Sequence, residues 1–288
     1  MSFPSGEAPR TRARPVGRLR VVHASGVAGA TLVAAVGAHH EAMDAGAGIL
    51  KDGRRSAVTQ VCPERGWLCV KEYRHIGWAD RVRDALPGSR GRRAWRGAQR
   101  LKARGIAAPE ALGLLEHGGT AYLVTRFIEG AGPLNELLLG RFAHPRGPSE
   151  VAARRALARQ LGAWLRAAHD AGVYHDDWSA KNFLAAERDG VWSFYFLDFE
   201  SVSSLKHLTW RRRVKNLGQL CDAPGGATRT DRMRFLVAYA CGDRALLRGR
   251  FPRSVLAYAR RRAAARERKL ADGGGRRCSV CPWTGRPR

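Results

Sequence analysis

Apolar and polar positions follow two rhythms along this chain, and the change of rhythm divides it. From Ile49 the sequence reads as a β-rich segment. Ala57-Val-Thr-Gln-Val61 and Trp67-Leu-Cys-Val-Lys-Glu-Tyr73 read as strands, set off by turn signals at Lys51-Asp-Gly-Arg54 and Pro63-Glu-Arg-Gly66. With the residues before Lys51 they predict a meander of three short strands. Ser89 to Arg104 reads as a basic helix with Ala94, Ala98 and Leu101 on one face, stopped by Gly105 and by Pro109 beyond. Ala111 to Glu116 and Ala121 to Ile128 predict two more strands. Five strands and one helix make a small β-rich lobe over 41–130. Residues 1–40 are expected to be a tail and lead-in, partly disordered.

After Gly130-Ala-Gly-Pro133 the period becomes helical. Leu134 to Leu139 is short. Ser149 to Ala171 is long, with Leu157, Leu161, Trp164, Leu165 and Ala168 at helical spacing, Ser149 as candidate N-cap and Gly172 as the stop. A loop then leads to a short strand at Phe183, a turn over Glu187 to Gly190, and a strand from Val191 to Asp198. Helices are expected again over 211–220, 231–240 and 254–270. The reading is an α+β protein of two lobes, the second mostly α over 131–271 and followed by a flexible tail over 272–288.

Composition narrows the class. A chain of 288 residues with 44% hydrophobic and 26% charged positions has the balance of a folded globular protein. No apolar run reaches the roughly 18–20 residues of a membrane span, and residues 1–17 lack the apolar core of a signal peptide. A cytoplasmic protein is expected. The net charge is +26, carried by 44 Arg and only seven Lys. Arginine suits planar capture of phosphate or carboxylate, so the charge invites nucleic acid, anionic lipid or a phosphorylated glycan. A GC-rich genome produces the same excess. No helix-turn-helix, zinc-finger or RNA-recognition signature supports nucleic acid. The six Cys are scattered, and Cys278-Ser-Val-Cys281 lacks a second ligand pair, so free thiols are expected.

The candidate chemistry lies in Val173-Tyr-His-Asp-Asp-Trp-Ser-Ala-Lys-Asn-Phe-Leu184. His175, Asp177 and Asn182 keep the H-x-D-x-x-x-x-N spacing of a kinase catalytic loop. Phosphoryl transfer needs an Asp beside the acceptor hydroxyl and an amide oxygen to hold Mg²⁺ on the nucleotide, and a step of five residues lets one loop present both. Asp198 ends the next apolar strand, in Leu197-Asp-Phe-Glu200, where a second metal-binding group belongs.

With these residues the chain resembles the lipopolysaccharide kinases (Kdo/WaaP type), a bacterial branch of the protein-kinase-like superfamily. The resemblance runs from about Gly48 to Tyr239. It also takes in Arg104-Gly-Ile-Ala-Ala-Pro109, Tyr122-Leu-Val-Thr125, Arg213-Val-Lys-Asn-Leu-Gly-Gln-Leu220 and Asp231-Arg-Met-Arg-Phe-Leu-Val-Ala-Tyr239. It implies a two-lobed kinase-like fold and a phosphotransferase using ATP and Mg²⁺. The implied acceptor is a sugar hydroxyl of the lipopolysaccharide core, Kdo or heptose. Asp177 is the implied catalytic base, His175 braces the loop, Asn182 and Asp198 are the implied metal ligands, and Lys71 is the implied strand lysine on the nucleotide phosphates.

Three departures stand beside this. No G-x-G-x-x-G precedes Lys71; the turn there is Lys51-Asp-Gly-Arg-Arg-Ser56, whose amides, with Arg54, Arg55 or Ser56, would cover the phosphates. Ser179 replaces the lysine two residues after Asp177, with Lys181 as a nearby charge. Ala94 or Trp95 falls where a helix glutamate would pair with Lys71. A protein Ser/Thr kinase, an aminoglycoside-type kinase and a pseudokinase or anion-binding module are the competing readings. The Arg clusters, Arg211 to Arg213 foremost, are the candidate docking surface for an anionic glycan or glycolipid at the inner face of the cytoplasmic membrane.

Overall fold

A computed structural model describes residues 12–16, 19–63, 66–74, 88–117, 119–221 and 227–271. Cys278 and Cys281, with the rest of the 272–288 tail, lie outside them. The first compact unit comprises the described residues of Met1–Gln99 and Pro109–Ile128, and the second those of Arg100–Ala108 and Glu129–Arg277.

The first unit is built on a sheet. In chain order it holds β1 (Arg12–Val16), β2 (Leu19–His23), α1 (Gly29–Ala45), β3 (Ile49–Gly53), β4 (Ser56–Val61), β5 (Leu68–Tyr73), the start of α2 (Arg90–Ala103), β6 (Ala111–His117) and β7 (Thr120–Arg126). Among the described residues the seven strands are antiparallel, in the order β1-β2-β6-β7-β5-β4-β3. The meander strands and the β6–β7 pair lie where the sequence predicts them. β1, β2 and α1 lie in or beside the stretch read as a lead-in. Leu32, Ala35 and His39 of α1 are buried, with Leu32 and Ala35 in a core with Val21, Leu68, Val70, Leu112 and Val124. His39 fastens α1 to the sheet, its Nδ1 2.8 Å from the Thr59 hydroxyl and its Nε2 3.8 Å from Glu72. Packing a helix on the apolar face of the sheet in this way removes that face from water and stabilises it.

The second unit is mostly helical. It contains β8 (Gly132–Pro133), α3 (Leu134–Leu139), α4 (Pro148–Asp170), β9 (Val173–His175), β10 (Phe183–Arg188), β11 (Val191–Phe196), β12 (Val202–Ser204), α5 (Trp210–Cys221), α6 (Arg229–Ala240), α7 (Arg244–Arg248) and α8 (Arg250–Ala271). One expectation is corrected. α4 starts at Pro148, with Gly147 as its N-cap, and Ser149 lies inside the first turn without a capping bond. Proline's fixed φ and missing N–H suit the first helical position, so it sets the start in place of Ser149. α6 carries a full capping box between Thr228 and Asp231, and Asp231 is buried against Arg154 at 2.9 Å. α4 and α6 cross closely at Gly162, where a Cβ would meet the Phe235 carbonyl. Gly172, at φ +76, turns the chain out of α4, and a Cβ there would collide with the Leu205 carbonyl.

Candidate active site

The loop between β9 and β10 carries the candidate residues, and an aromatic core fixes it from beneath. Trp178, between Asp177 and Ser179, is fully buried. Its ring stacks on His169 at 4.4 Å and meets Phe183 and Phe196 edge-on at 5.7 and 5.4 Å. A large aromatic side chain inside a polar loop is thus an anchor that leaves its neighbours facing outwards.

Helix α5 holds the loop's backbone. Asn216 Nδ2 donates to the His175 carbonyl at 2.7 Å, and Gln219 Nε2 donates to the Asp176 carbonyl at 2.6 Å. Gln219 Oε1 accepts from the Trp178 N–H at 3.1 Å. Both amides are buried, so the irregular backbone of the loop keeps its hydrogen bonds away from water. Lys215 completes the edge, donating to the Tyr174 hydroxyl at 2.8 Å and Asp176 at 3.2 Å.

His175 ties the loop to Asp198. The Asp177 N–H donates to His175 Nδ1 at 3.0 Å, so that nitrogen is an acceptor and the ring proton sits on Nε2. Nε2 in turn donates to the Asp198 carbonyl at 2.5 Å. Asn182 Nδ2 donates to the Asp177 carbonyl at 2.8 Å, turning its Oδ1 away from that contact. The Leu197 N–H donates to the Asn182 carbonyl at 3.0 Å. His175, Asp177, Asn182 and Asp198 are therefore stitched into one small group.

Asp177 is one-third exposed and flanked by two cations. Lys181 Nζ lies 3.2 Å from Oδ2 and Arg262 Nη2 lies 3.4 Å from Oδ1. Burial raises its pKa, but the Lys181 charge and hydrogen bond, the Ser179 hydrogen bond and the Arg262 charge outweigh it and hold the carboxyl below its usual range. An ionised, partly exposed carboxylate can accept a hydroxyl proton. The amide oxygen of Asn182 and the carboxylate of Asp198 are hard oxygen donors of the kind Mg²⁺ takes. Mg²⁺ is commonly held by one or two protein oxygens and completes its shell with water and substrate phosphates.

In the first unit, Lys71 lies on β5 opposite Val58 and Leu123, with its Nζ 4.9 Å over the Tyr73 ring. Glu72 points to the opposite face, where His39 first, and Arg74 after it, hold its carboxyl low against the effect of burial. α2 contains no carboxylate, and Ala94 and Trp95 are buried in it. Arg54 and Arg55 form the two-residue turn of the β3–β4 hairpin, and Ser56, paired with Gly53, is buried at the start of β4. The Arg55 carbonyl accepts from the Arg74 N–H at 3.0 Å and from Arg90 at 3.1 Å. A pinned hairpin thus stands where the glycine-rich loop was missing.

Of the Arg211–Arg213 cluster, Arg213 is committed inward, to Asp170 at 2.9 Å and the Tyr239 hydroxyl at 3.4 Å, and Arg212 lies over the Tyr174 ring. Trp178, Asn216 and Gln219 are site residues that nothing in the sequence singled out, and Arg262, expected only as part of an Arg cluster, stands beside Asp177. Burial of polar amides on α5 has no signal in the apolar pattern, and Arg262 stands 85 residues from its carboxylate.

His169 gives the site a pH dependence. Burial first, then the Arg213 charge, pushes its pKa down to about 3 from 6.5. The unfolded chain takes up the proton near 6.5 and the folded chain refuses it until about pH 3, so acid favours unfolding across that window. Stability should fall by roughly 1.4 kcal/mol per pH unit below 6.5 from this group alone. Calorimetric melts between pH 7 and 4 should show the wild-type midpoint falling, with a flatter slope in His169→Gln whatever its absolute midpoint. Equal slopes would show that His169 is not the sensor.

Comparison with known proteins adds three findings. A family model described as the lipopolysaccharide kinase (Kdo/WaaP) family matches residues 49–239. Among solved structures, "WaaP in complex with acyl carrier protein" is similar at a TM-score of 0.56 and 22% identity, over 75% of this chain and 87% of that one, a likeness of fold. No curated protein matches in sequence.

Proposed function

This chain belongs to the lipopolysaccharide kinase (Kdo/WaaP) family, and on that footing we propose that it transfers the γ-phosphoryl group of ATP to a sugar hydroxyl of the lipopolysaccharide core, on Kdo or heptose. The observation that carries the reading is the group formed by His175, Asp177, Asn182 and Asp198, whose hydrogen bonds hold the loop in place while Lys181, Ser179 and Arg262 keep the partly exposed Asp177 carboxyl below its usual range.

Asp177 accepts the hydrogen bond of the acceptor hydroxyl, aligns its oxygen on the γ-phosphorus and takes the proton as the new bond forms. His175 keeps the Asp177 amide and the Asp198 carbonyl in register, so the carboxylate does not reorient during the step. Lys181, beside Asp177, counters charge on the transferring group. Asn182 and Asp198 would hold a Mg²⁺ ion, which when bound neutralises charge on the nucleotide phosphates. Lys71, Arg54 and Ser56 are the first unit's proposed phosphate-binding groups, and the pinned hairpin there replaces glycine flexibility with a preformed turn. Among the described residues no helix is long and apolar enough to cross a membrane.

The test is transfer of label from γ-labelled ATP with Mg²⁺ to deacylated lipopolysaccharide core, to a generic protein substrate, or to neither. Label on the glycan alone is expected. Label on the protein substrate alone would make this a protein kinase, and nucleotide binding without transfer would make it a pseudokinase, the reading favoured by an α2 without a carboxylate.

A further inference from the structure

The C-terminal helix α8 lies beyond the residues that the family model matches, yet it reaches the candidate base. Its inner stripe runs Phe251, Val255, Ala259, Arg262 and Arg266, at steps of four, four, three and four. That spacing keeps all five on one helical face. Phe251, Val255 and Ala259 are buried, Arg262 is part-buried and Arg266 is exposed. The face that starts as a packing surface therefore turns basic as it passes the loop.

Both ends of the Arg262–Asp177 contact are tied to the same helix. Tyr258, one turn before Arg262, packs over Gly218 of α5, where a Cβ would come within 2.6 Å of its ring. The next residue, Gln219, holds the Asp176 carbonyl and the Trp178 N–H. α5 thus sets where the guanidinium stands relative to the carboxylate, which distinguishes this pair from a chance meeting of two surface side chains. Its Arg262 contact is long at 3.4 Å, and Arg262 is 37% exposed. An acceptor hydroxyl that hydrogen-bonds to Asp177 competes for the oxygen Arg262 now faces. The guanidinium is then positioned to meet whatever is carried on the adjoining part of the acceptor.

We infer that Arg262, with Arg266 one turn on, forms an acceptor-side anion subsite that reads a carboxylate or phosphate neighbouring the hydroxyl to be phosphorylated. A planar guanidinium favours such groups, and a cation there disfavours a neutral sugar only by omission, so the discrimination lies in affinity for the acceptor. This inference rests on the sugar-kinase reading above, and its test separates the two.

The full-length chain is assayed with Mg²⁺-ATP and three forms of one deacylated core oligosaccharide: intact, phosphatase-treated, and carboxyl-reduced. Equilibrium binding of the same three is measured without ATP. In wild type, removing the recognised anion should raise the acceptor KM about tenfold, the scale of one charge-assisted contact. Whichever treatment does so identifies phosphate or carboxylate as the group. Arg262→Met should raise the KM of the intact oligosaccharide by a similar factor and should abolish the difference between intact and treated forms. Arg262→Lys should recover part of the affinity. Melting curves confirm that both variants fold. Unchanged discrimination in Arg262→Met overturns the inference, as does binding insensitive to both treatments. Charge-dependent binding lost in Arg262→Met, without transfer to any glycan, would leave the subsite standing and remove the sugar-kinase reading.

Discussion

Asp177→Asn should lower phosphoryl transfer by about 10²–10⁴-fold while leaving the melting temperature within a few degrees of wild type. The amide keeps the shape and the backbone bond to His175 but cannot take the acceptor's proton. It also gives up the negative charge that faces Lys181 and Arg262. Little folding energy is at stake, because the side chain is one-third exposed and its ion pairs are screened by solvent. Steady-state transfer rates beside a thermal melt provide the check. A variant with undiminished turnover would move the base elsewhere, and one that loses its fold would show that Asp177 serves structure first.

The second large effect is expected at a residue that touches no substrate. Trp178→Ala empties a fully buried site bordered by His169, Phe183 and Phe196, and truncations of this kind cost about 3–5 kcal/mol. The loss should exceed that of any surface substitution in the second unit. Transfer should fall with it, since the loop would keep its clamp from Gln219 but lose its floor. Denaturant unfolding followed by a probe in the second unit reads the stability. Trp178→Phe, which refills most of the volume, should restore the larger part of both. A loss below about 1 kcal/mol for the alanine variant would contradict the packing described.

Several elements were legible because one physical rule governed each. Turn signals bound Ala57 to Val61 and Leu68 to Tyr73, the apolar and β-branched residues between them favour strands, and both segments fall within the observed β4 and β5. The site loop was legible because its chemistry fixes residue types at set intervals, and His175, Asp177 and Asn182 do meet. α1 was not, because its Ala- and Gly-rich sequence gives faint contrast between faces, and its burial is decided by the sheet beneath it. Asn216 and Gln219 lie on a side of α5 that carries no mark in the apolar pattern. Only the fold reveals that this side faces a loop needing hydrogen bonds. Gly147 and Pro148 displaced Ser149 at the start of α4 because a proline's geometry outranks a capping hydroxyl.

The spacing of Tyr258 and Arg262 has a consequence of its own. One residue contributes about 100° of rotation and about 1.5 Å of rise to an α-helix. Four carry the guanidinium to almost the same azimuth as the ring that seats the helix on Gly218. A single residue inserted between them would swing the arginine away from the carboxylate without disturbing a buried contact upstream. Length added or lost beyond Arg266 would leave it where it is. The helix is therefore free to vary at its far end and held to an integer count over one turn.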